Sequence, residues 1–377
     1  MSTALNQINQ TTNIKNIAVI YGGFSEREVS LNSGRNISLT LNGIVSNDGR
    51  SDSKLYRVYP VEITTSCQWQ LENIARLQEI NKISTGFLTI AQMDAVPNGG
   101  EFINILDTAT GSNWFKDNQI DLAYLALHGG WGENGGIQSF LDYLGVKYTG
   151  SGAGATALCM DKLKTQEIVS YNMAQSNTKN NLKNNIKVPQ TICVDFSSQT
   201  IDDVDTLIQK NIGYPVFAKP RDGGSSFGNR LVSQKNDLLG LEGVYLLQEV
   251  VLGKEITVPV LGGLAMPIVE IISDNNFDYF DKYLSAQTQE ICPANISFEF
   301  TNQIQTIAQN IHTWLGCEGL SRSDFMISIK DGTETIYYLE TNTTPGCTAS
   351  SLCPKSAKAM SMTMAQFLEK QIYNKNS

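Results

Sequence analysis

Histidine is nearly absent from this chain, with only His128 and His312 among 377 residues. Seven cysteines are present, but no two form a CxxC pair. So few imidazoles and no paired thiols leave no expected zinc site, and an odd cysteine count suits reduced thiols better than a disulfide framework. Cys347 and Cys353 have no base beside them in sequence, which favours small apolar packing over a nucleophilic role. An excess of positive charge is also missing. Against 37 Asp and Glu stand 28 Lys and Arg, a net charge of −9, so neither nucleic acid nor an anionic membrane is an expected partner. Any phosphate site must be built locally from a few cations and backbone amides. Long apolar runs are lacking too: the stretch 122–127 is far shorter than the roughly 20 residues that span a bilayer. The opening MSTALNQINQTTN has no basic start followed by an apolar run and reads as a polar tail over 1–13, in keeping with a cytoplasmic protein. With 41% hydrophobic residues over this length, two or three cores can form.

What is present is concentrated in residues 321–354, SRSDFMISIKDGTETIYYLETNTTPGCTASSLCP. Strand side chains alternate faces, so Arg322 and Asp324 share one face of a first strand, and Glu340 and Asn342 share one face of a second. Asp331-Gly332 reads as the hairpin turn between them. A three-residue loop there sets Asp324 opposite Glu340; a two-residue loop puts them on opposite faces. In the first case two carboxylates and an amide oxygen converge beside an arginine, the hard-oxygen set that Mg²⁺ on a nucleotide's phosphates takes. Acids inside apolar strands are costly unless paired, which favours ligands over a solvated edge.

Upstream, residues 17–21 form an apolar strand that runs into Gly22-Gly23 and a helix with Ser25 as N-cap. Strand, glycine turn and helix open a doubly wound α/β domain, whose ligands gather at the carboxyl ends of strands, where Glu26 would sit. Residues 43–120 carry no assignable chemistry, although YRVYPVEI and FINIL look like strands. The strand 122–127 ends in a glycine-rich loop holding His128 and Glu133, candidate ligand contacts, before a helix near Gly136. A small-residue helix leads to Met160-Asp161-Lys162, where the lysine would ordinarily be solvated. Residues 175–186 are asparagine-rich and read as a surface loop. YPVFAKP is a strand ending in Lys219, followed by the turn DGGSSFG, whose backbone amides and Ser225 and Ser226 hydroxyls can fold over phosphate oxygens. Gln248, Glu249 and Glu255 fall beside an expected interdomain crevice, and the aromatic, polar stretch 274–294, with Lys282 and Tyr283, suits a lid.

Together, GGFSEREVSLNSG, LALHGGWGENGGIQ, YTGSG…ALCMDKLKT, YPVFAKPRDGGSSFG, DKYLSAQTQEICPA and SRSDFM…YLETNTTPGCTASSLCP resemble the D-alanine–D-alanine ligase family of the ATP-grasp superfamily, in family order from Ile17 to Pro354. The resemblance implies a three-domain ATP-grasp fold, α/β and α+β, with a Rossmann-like parallel sheet over 14–152, a central unit over 153–247 and a C-terminal unit over 248–377. It implies ATP and two Mg²⁺ ions, with Mn²⁺ as an alternative, D-alanine as substrate, a homodimer, and a role in peptidoglycan precursor synthesis. Carried over residue by residue, it places Lys162, Lys219, Ser225, Ser226 and Lys282 on ATP phosphates, Gln248, Glu249 and Val251 at the adenine hinge, and Glu255 on the ribose. Glu26, Ser225 and Tyr283 would orient the first D-alanine, with His128 and Glu133 near it. Asp324, Glu340 and Asn342 match the metal ligands. Arg322 and the Gly346 amide would hold the oxyanion, and Ser351 with Leu352 the second D-alanine's carboxylate. Two departures stand out: Gln248 replaces the commoner hinge glutamate, and Cys347 a usual methionine. Tyr283 favours D-alanine over a D-lactate acceptor. The alternatives are another carboxylate–amine ligase, a D-lactate or D-serine acceptor, or an inactive regulatory homologue.

Overall fold

The computed structural model describes residues 15–45, 54–180, 186–224, 228–273, 288–330 and 333–373. The first sheet begins with β1 (Lys15–Gly22), a nearly continuous apolar run buried on both faces, as a central parallel strand requires. It pairs in parallel with β2 (Tyr56–Ile63) and with β5 (Leu122–Leu125), while β3 (Trp69–Leu71) and β4 (Glu101–Phe102) extend the edge in the order β4-β3-β2-β1-β5. Of the two strands expected before residue 120, YRVYPVEI is β2, whereas FINIL contributes only its first residue to the two-residue β4. Because β1 and β5 are parallel neighbours, the loops leaving their carboxyl ends lie side by side, and these loops hold Glu26 and His128. Helix Arg27–Asn42 follows β1, capped by Glu26 and not by Ser25.

The second sheet is antiparallel, in the order β7 (Thr191–Asp195), β10 (Val244–Glu249), β8 (Val216–Pro220), β9 (Arg230–Val232). Helix Ile201–Asn211 covers it, its start fixed by a capping box in which Thr200 and Asp203 exchange side-chain and backbone bonds. The third sheet runs β14 (Thr288–Ile291), β13 (Val269–Ser273), β11 (Lys254–Leu261), β15 (Leu320–Lys330), β16 (Thr333–Asn342), β6 (Ile186–Lys187), with β12 (Leu264–Ala265) beside β11. Although they precede the second sheet in the chain, helices Ala153–Met160 and Lys162–Asn180 contribute Cys159, Val169 and Met173 to the core under the third. The last two helices, Leu352–Ala359 and Met364–Tyr373, return to the first sheet, where Phe367, Leu368 and Ile372 pack with Tyr21, Ile37 and Leu41. No helix among the described residues is long and apolar enough to cross a membrane.

His312 lies inside the third sheet's covering helix, Phe298–Trp314, 5% exposed, its Nδ1 2.7 Å from Ser321 Oγ. Burial pulls its pKa down to about 4, against only a weak opposing pull from Glu318. Between pH 4 and 6.5 the unfolded chain therefore binds a proton that the folded chain refuses, and stability falls as the pH drops through that window, by roughly 3 kcal/mol in all. Urea titrations from pH 7 to 4 should show this slope in the parent and a flatter one in His312→Asn; equal slopes would mean that His312 is not the group responsible.

Candidate active site

The hairpin of β15 and β16 brings its polar residues together by a route other than the one expected. The strands pair down to Lys330 and Thr333, leaving a two-residue connection, the parity that should separate Asp324 from Glu340. A bulge between Asp324 and Phe325 restores the match: Phe325 pairs with Tyr338, Asp324 with Glu340 and Arg322 with Asn342, so Leu339 is the extra residue. Of the two loop lengths left open by the sequence the shorter is present, and the bulge supplies the convergence that this length alone would forbid.

On this face Arg322 donates to both oxygens of Asp324, Nε to Oδ1 and Nη2 to Oδ2, each at 2.9 Å. Thr257, opposite on β11, also donates its hydroxyl to Asp324 Oδ1. Burial opposes the charge on Arg322, but Asp324 outweighs it and raises the guanidinium's pKa. A cavity of about 360 Å³ opens over the hairpin, lined by Arg322, Asp324, Glu340 and Asn342 together with Lys162 and Lys219. Lys219, the end of β8, is 9% exposed; burial and the neighbouring Lys162 lower its pKa, and Glu340, Glu255 and Asp324 push it back up.

Lys162 is buried as well, not solvated, and donates to the Gly223 carbonyl. Its position is set by Asp161, which receives a two-point contact from Arg221 at the start of the glycine loop. Those residues were visible in MDK and KPRD, but their pairing across 60 positions was not. Thr257 was also missed, although it lies two residues after Glu255 and so on the same face of β11.

Glu26 caps its helix at φ 45°, ψ 36°, a left-handed conformation uncommon outside glycine, with no side-chain cap bond. Its carboxylate is hemmed in by two glycines. A β-carbon at Gly129 would stand 3.1 Å from Glu26 Oε1, and one at Gly224 would stand 3.0 Å from the same oxygen and 3.5 Å from Glu133 Oε2. His128 is fixed on both ring nitrogens, Nδ1 donating to the Thr344 carbonyl and Nε2 meeting the Ser33 hydroxyl, each at 3.0 Å. All three of Glu26, His128 and Glu133 line the cavity.

A smaller slot adjoins it, sharing Lys219, Glu255 and Leu339, and is lined further by Phe217, Gln248, Glu249, Val251 and Met326. Its wall mixes the apolar side chains Phe217, Val251, Met326 and Leu339 with the polar Lys219, Gln248, Glu249 and Glu255. The Gln248 amide is spent inside the protein, donating to Gln166 Oε1 at 3.1 Å and Thr191 Oγ1 at 2.9 Å. Gly346 lines the main cavity, and a β-carbon there would stand 2.9 Å from Ser351 Oγ. Ser351 and Leu352 themselves lie behind it, at the start of helix Leu352–Ala359, with Ser351 Oγ accepting from Thr348 N at 3.1 Å. Cys347 is buried and its thiol pushed up to about 11 by burial, and Cys353 is raised likewise, so both stay neutral and serve as packing. Ser225, Ser226, Lys282, Tyr283, residues 274–287 of the lid stretch and the Asp331-Gly332 turn lie outside the described residues, while the end of that stretch is not irregular but forms strand β14.

Two largely antiparallel sheets that meet at a cavity lined by Lys162, Lys219 and Arg322, with an acidic hairpin on one wall and a smaller slot beside, define an ATP-grasp fold. Within it the chain belongs to the D-alanine–D-alanine ligase family. Residues 16–151 match the family model described as the D-ala D-ala ligase N-terminus, and residues 184–373 match that of its C-terminus. A D-alanine–D-alanine ligase from Fusobacterium nucleatum is 38% identical over 260 residues, 67% of this chain and 80% of that protein. Ligase B of Clostridium perfringens is 35% identical over 262 residues, covering 67% and 80%. Among solved structures, the VanG D-Ala:D-Ser ligase from Enterococcus faecalis superposes with TM-score 0.70 at 26% identity, covering 96% of this chain and all of that one. The ATP complex of the Bacillus anthracis ligase gives 0.64 at 25%, covering 96% and 97%.

Asp324→Ala would leave Arg322 in a largely buried position without its carboxylate. Breaking a fully buried pair costs about 3–5 kcal/mol, and partial exposure here lowers the expectation to about 2–3 kcal/mol. Urea denaturation of the ligand-free protein measures it; a variant as stable as the parent would mean the pair does not form in solution.

Proposed function

We propose that this protein joins two D-alanine molecules into D-alanyl-D-alanine at the expense of ATP, releasing ADP and phosphate, in the cytoplasmic supply of peptidoglycan precursor. The observation that carries this reading is the meeting of Lys162, Lys219 and Arg322 with Asp324, Glu340 and Asn342 around one cavity that adjoins a smaller slot of mixed polarity. Such a set has little use except to neutralise a nucleotide's phosphates while a phosphoryl group moves.

A carboxylate is a poor electrophile at neutral pH. In the proposed sequence an oxygen of the first D-alanine attacks the γ-phosphorus, the bond to ADP breaks, and an acyl phosphate forms. The amine of the second D-alanine then attacks the acyl carbonyl, and inorganic phosphate leaves as the peptide bond closes. Glu26, with Ser225 and Tyr283, would hold the first D-alanine's ammonium end, and His128 and Glu133 would shape the same pocket. Lys162, Lys219, Ser225, Ser226 and Lys282 would grip the phosphates, Glu249 and Val251 would border the adenine and Glu255 would hold the ribose. The Gln248 side chain, already committed to Gln166 and Thr191, would act by fixing that hinge. Arg322 and the Gly346 amide would meet the tetrahedral oxyanion, with the second carboxylate at Ser351 and Leu352.

The donor set also fits a metal. No group of three His, Cys, Asp or Glu side chains able to hold an ion occurs among the described residues. Two carboxylates and an amide leave most of a coordination shell to phosphate and water, which is how Mg²⁺ is bound at nucleotide sites. Asp324, Glu340 and Asn342 would hold two Mg²⁺ ions, or Mn²⁺, which would supply positive charge against that accumulating on the phosphates in transfer. A homodimer is part of the same proposal, by family resemblance.

A second reading, a D-serine acceptor, is supported by the VanG likeness across 96% of the chain. Phosphate release with ATP and Mg²⁺ distinguishes them: D-alanine alone should suffice for turnover and dipeptide formation, and release only when D-serine or D-lactate is added would overturn the acceptor assignment. Glu340→Gln should retain the fold by circular dichroism and lose at least about 100-fold in kcat; near-parental turnover would remove Glu340 from the metal site.

A further inference from the structure

A second cavity, of about 300 Å³, lies in the first domain behind helix Arg27–Asn42, away from the site described above. One part of its wall is apolar, formed by Leu31, Leu77, Ile80, Ile90 and Met93. The other carries three arginines together with Glu62, Asp94, Thr65 and Asn98. Two are matched: Arg27 pairs with Glu62, and Arg76 binds Glu72 at 2.7 Å. The third, Arg35, is 3% exposed and pairs with no carboxylate among the described residues. Its Nη2 donates to Asn32 Oδ1 at 3.3 Å and to the Gly86 carbonyl at 2.5 Å. Nε and Nη1, which carry the other three of a guanidinium's five N–H bonds, have no acceptor. The phenol of Tyr21, 2% exposed and lining the same cavity, has no hydrogen-bond partner either.

An unmatched buried cation with unspent donors is costly when left alone, and a protein interior ordinarily supplies the missing acceptor. The cavity that Arg35 lines is of small-molecule size, with aliphatic side chains on one part of its wall and polar ones on the rest. A phosphate dianion would want a second unmatched cation and would gain nothing from the aliphatic wall. A neutral hydrocarbon would leave Arg35 and Tyr21 unsatisfied. We propose that this cavity is a binding site for a small monocarboxylate with a branched aliphatic body, its carboxylate received by Arg35 and Tyr21 and its chain by Leu31, Leu77 and Ile80. The site is independent of the ligase reading, since none of these residues lines the active cavity.

The test is ligand-observed NMR titration of the full chain with 4-methylpentanoate, with 4-methylpentanamide as the uncharged isostere. Saturable binding of the acid at about 1 mM or tighter is expected, at least about tenfold stronger than the amide. It should persist in Lys162→Met, which disables the active cavity's phosphate end, and be lost in Arg35→Met. Arg35→Met also removes an unneutralised buried charge and should melt no lower than the parent; should it fail to fold, Tyr21→Phe carries the same comparison with a weakened affinity. Equal affinity for acid and amide, unchanged binding in Arg35→Met or Tyr21→Phe, loss of binding in Lys162→Met, or no saturation by about 20 mM would each overturn the proposal.

Discussion

The contact on which the candidate site rests is the two-point bond from Arg322 to Asp324, two residues apart on β15. Isolated, neither ion would be tolerated at this depth in an apolar sheet. Together, with the Thr257 hydroxyl from one neighbouring strand and Glu340 across the other, they make a polar face on an otherwise hydrophobic ribbon. The sheet holds that face from both sides, because β15 lies between β11 and β16 and has no free edge along this segment. Backbone pairing, and not a loop, therefore sets the spacing of the acids, which is what a site that must hold its ligands to a fraction of an ångström needs.

Charge of both signs is gathered locally in a chain that is acidic as a whole. Around the cavity Lys162, Lys219 and Arg322 meet five carboxylates, Glu26, Glu133, Glu255, Asp324 and Glu340. The cavity is therefore no basic patch that would attract any polyanion. Lys219 illustrates the opposition: burial and Lys162 disfavour its charge, and Glu340, Glu255 and Asp324 restore part of it. A triphosphate entering with divalent cations would add charge of both signs, so the net field in the cavity changes less than either partner alone would cause.

Much of this was legible in the sequence, and the misses share one cause. Alternation along SRSDF and YLETN put Arg322 with Asp324 and Glu340 with Asn342, since period two is a local property. Which acid faces which is a register, and a single bulged Leu339 reverses the answer that turn length alone implies. Lys162 looked like a surface charge because its partners, Asp161 aside, arrive from residues 221 and 223. Gln248 borders the slot, as a hinge residue should, but the sequence does not show that Gln166 and Thr191 accept from its amide. Helix Ile74–Ile83 escaped notice in a polar stretch with two buried side chains, Leu77 and Ile80. In each case tertiary partners, which no window of sequence displays, decided the outcome.

Glu26 shows how the three sheets depend on one another. Its backbone is left-handed at the mouth of β1, its carboxylate lies between Gly129 from the loop after β5 and Gly224 from the loop after β8, and larger side chains at either glycine would meet it at about van der Waals contact or closer. Such a backbone persists only where its surroundings over-determine it. Those surroundings come from distant parts of the chain: Ser33 on the following helix and Thr344 beyond β16 both hold His128, and Asn36 on that helix donates to the Cys347 carbonyl at 3.1 Å. The C-terminal helices add an apolar fastening through Phe367 and Leu368. The first domain is thus tied to the third at several points close to the cavity, whereas the glycine loop of the second reaches it mainly through Lys162 and Arg221.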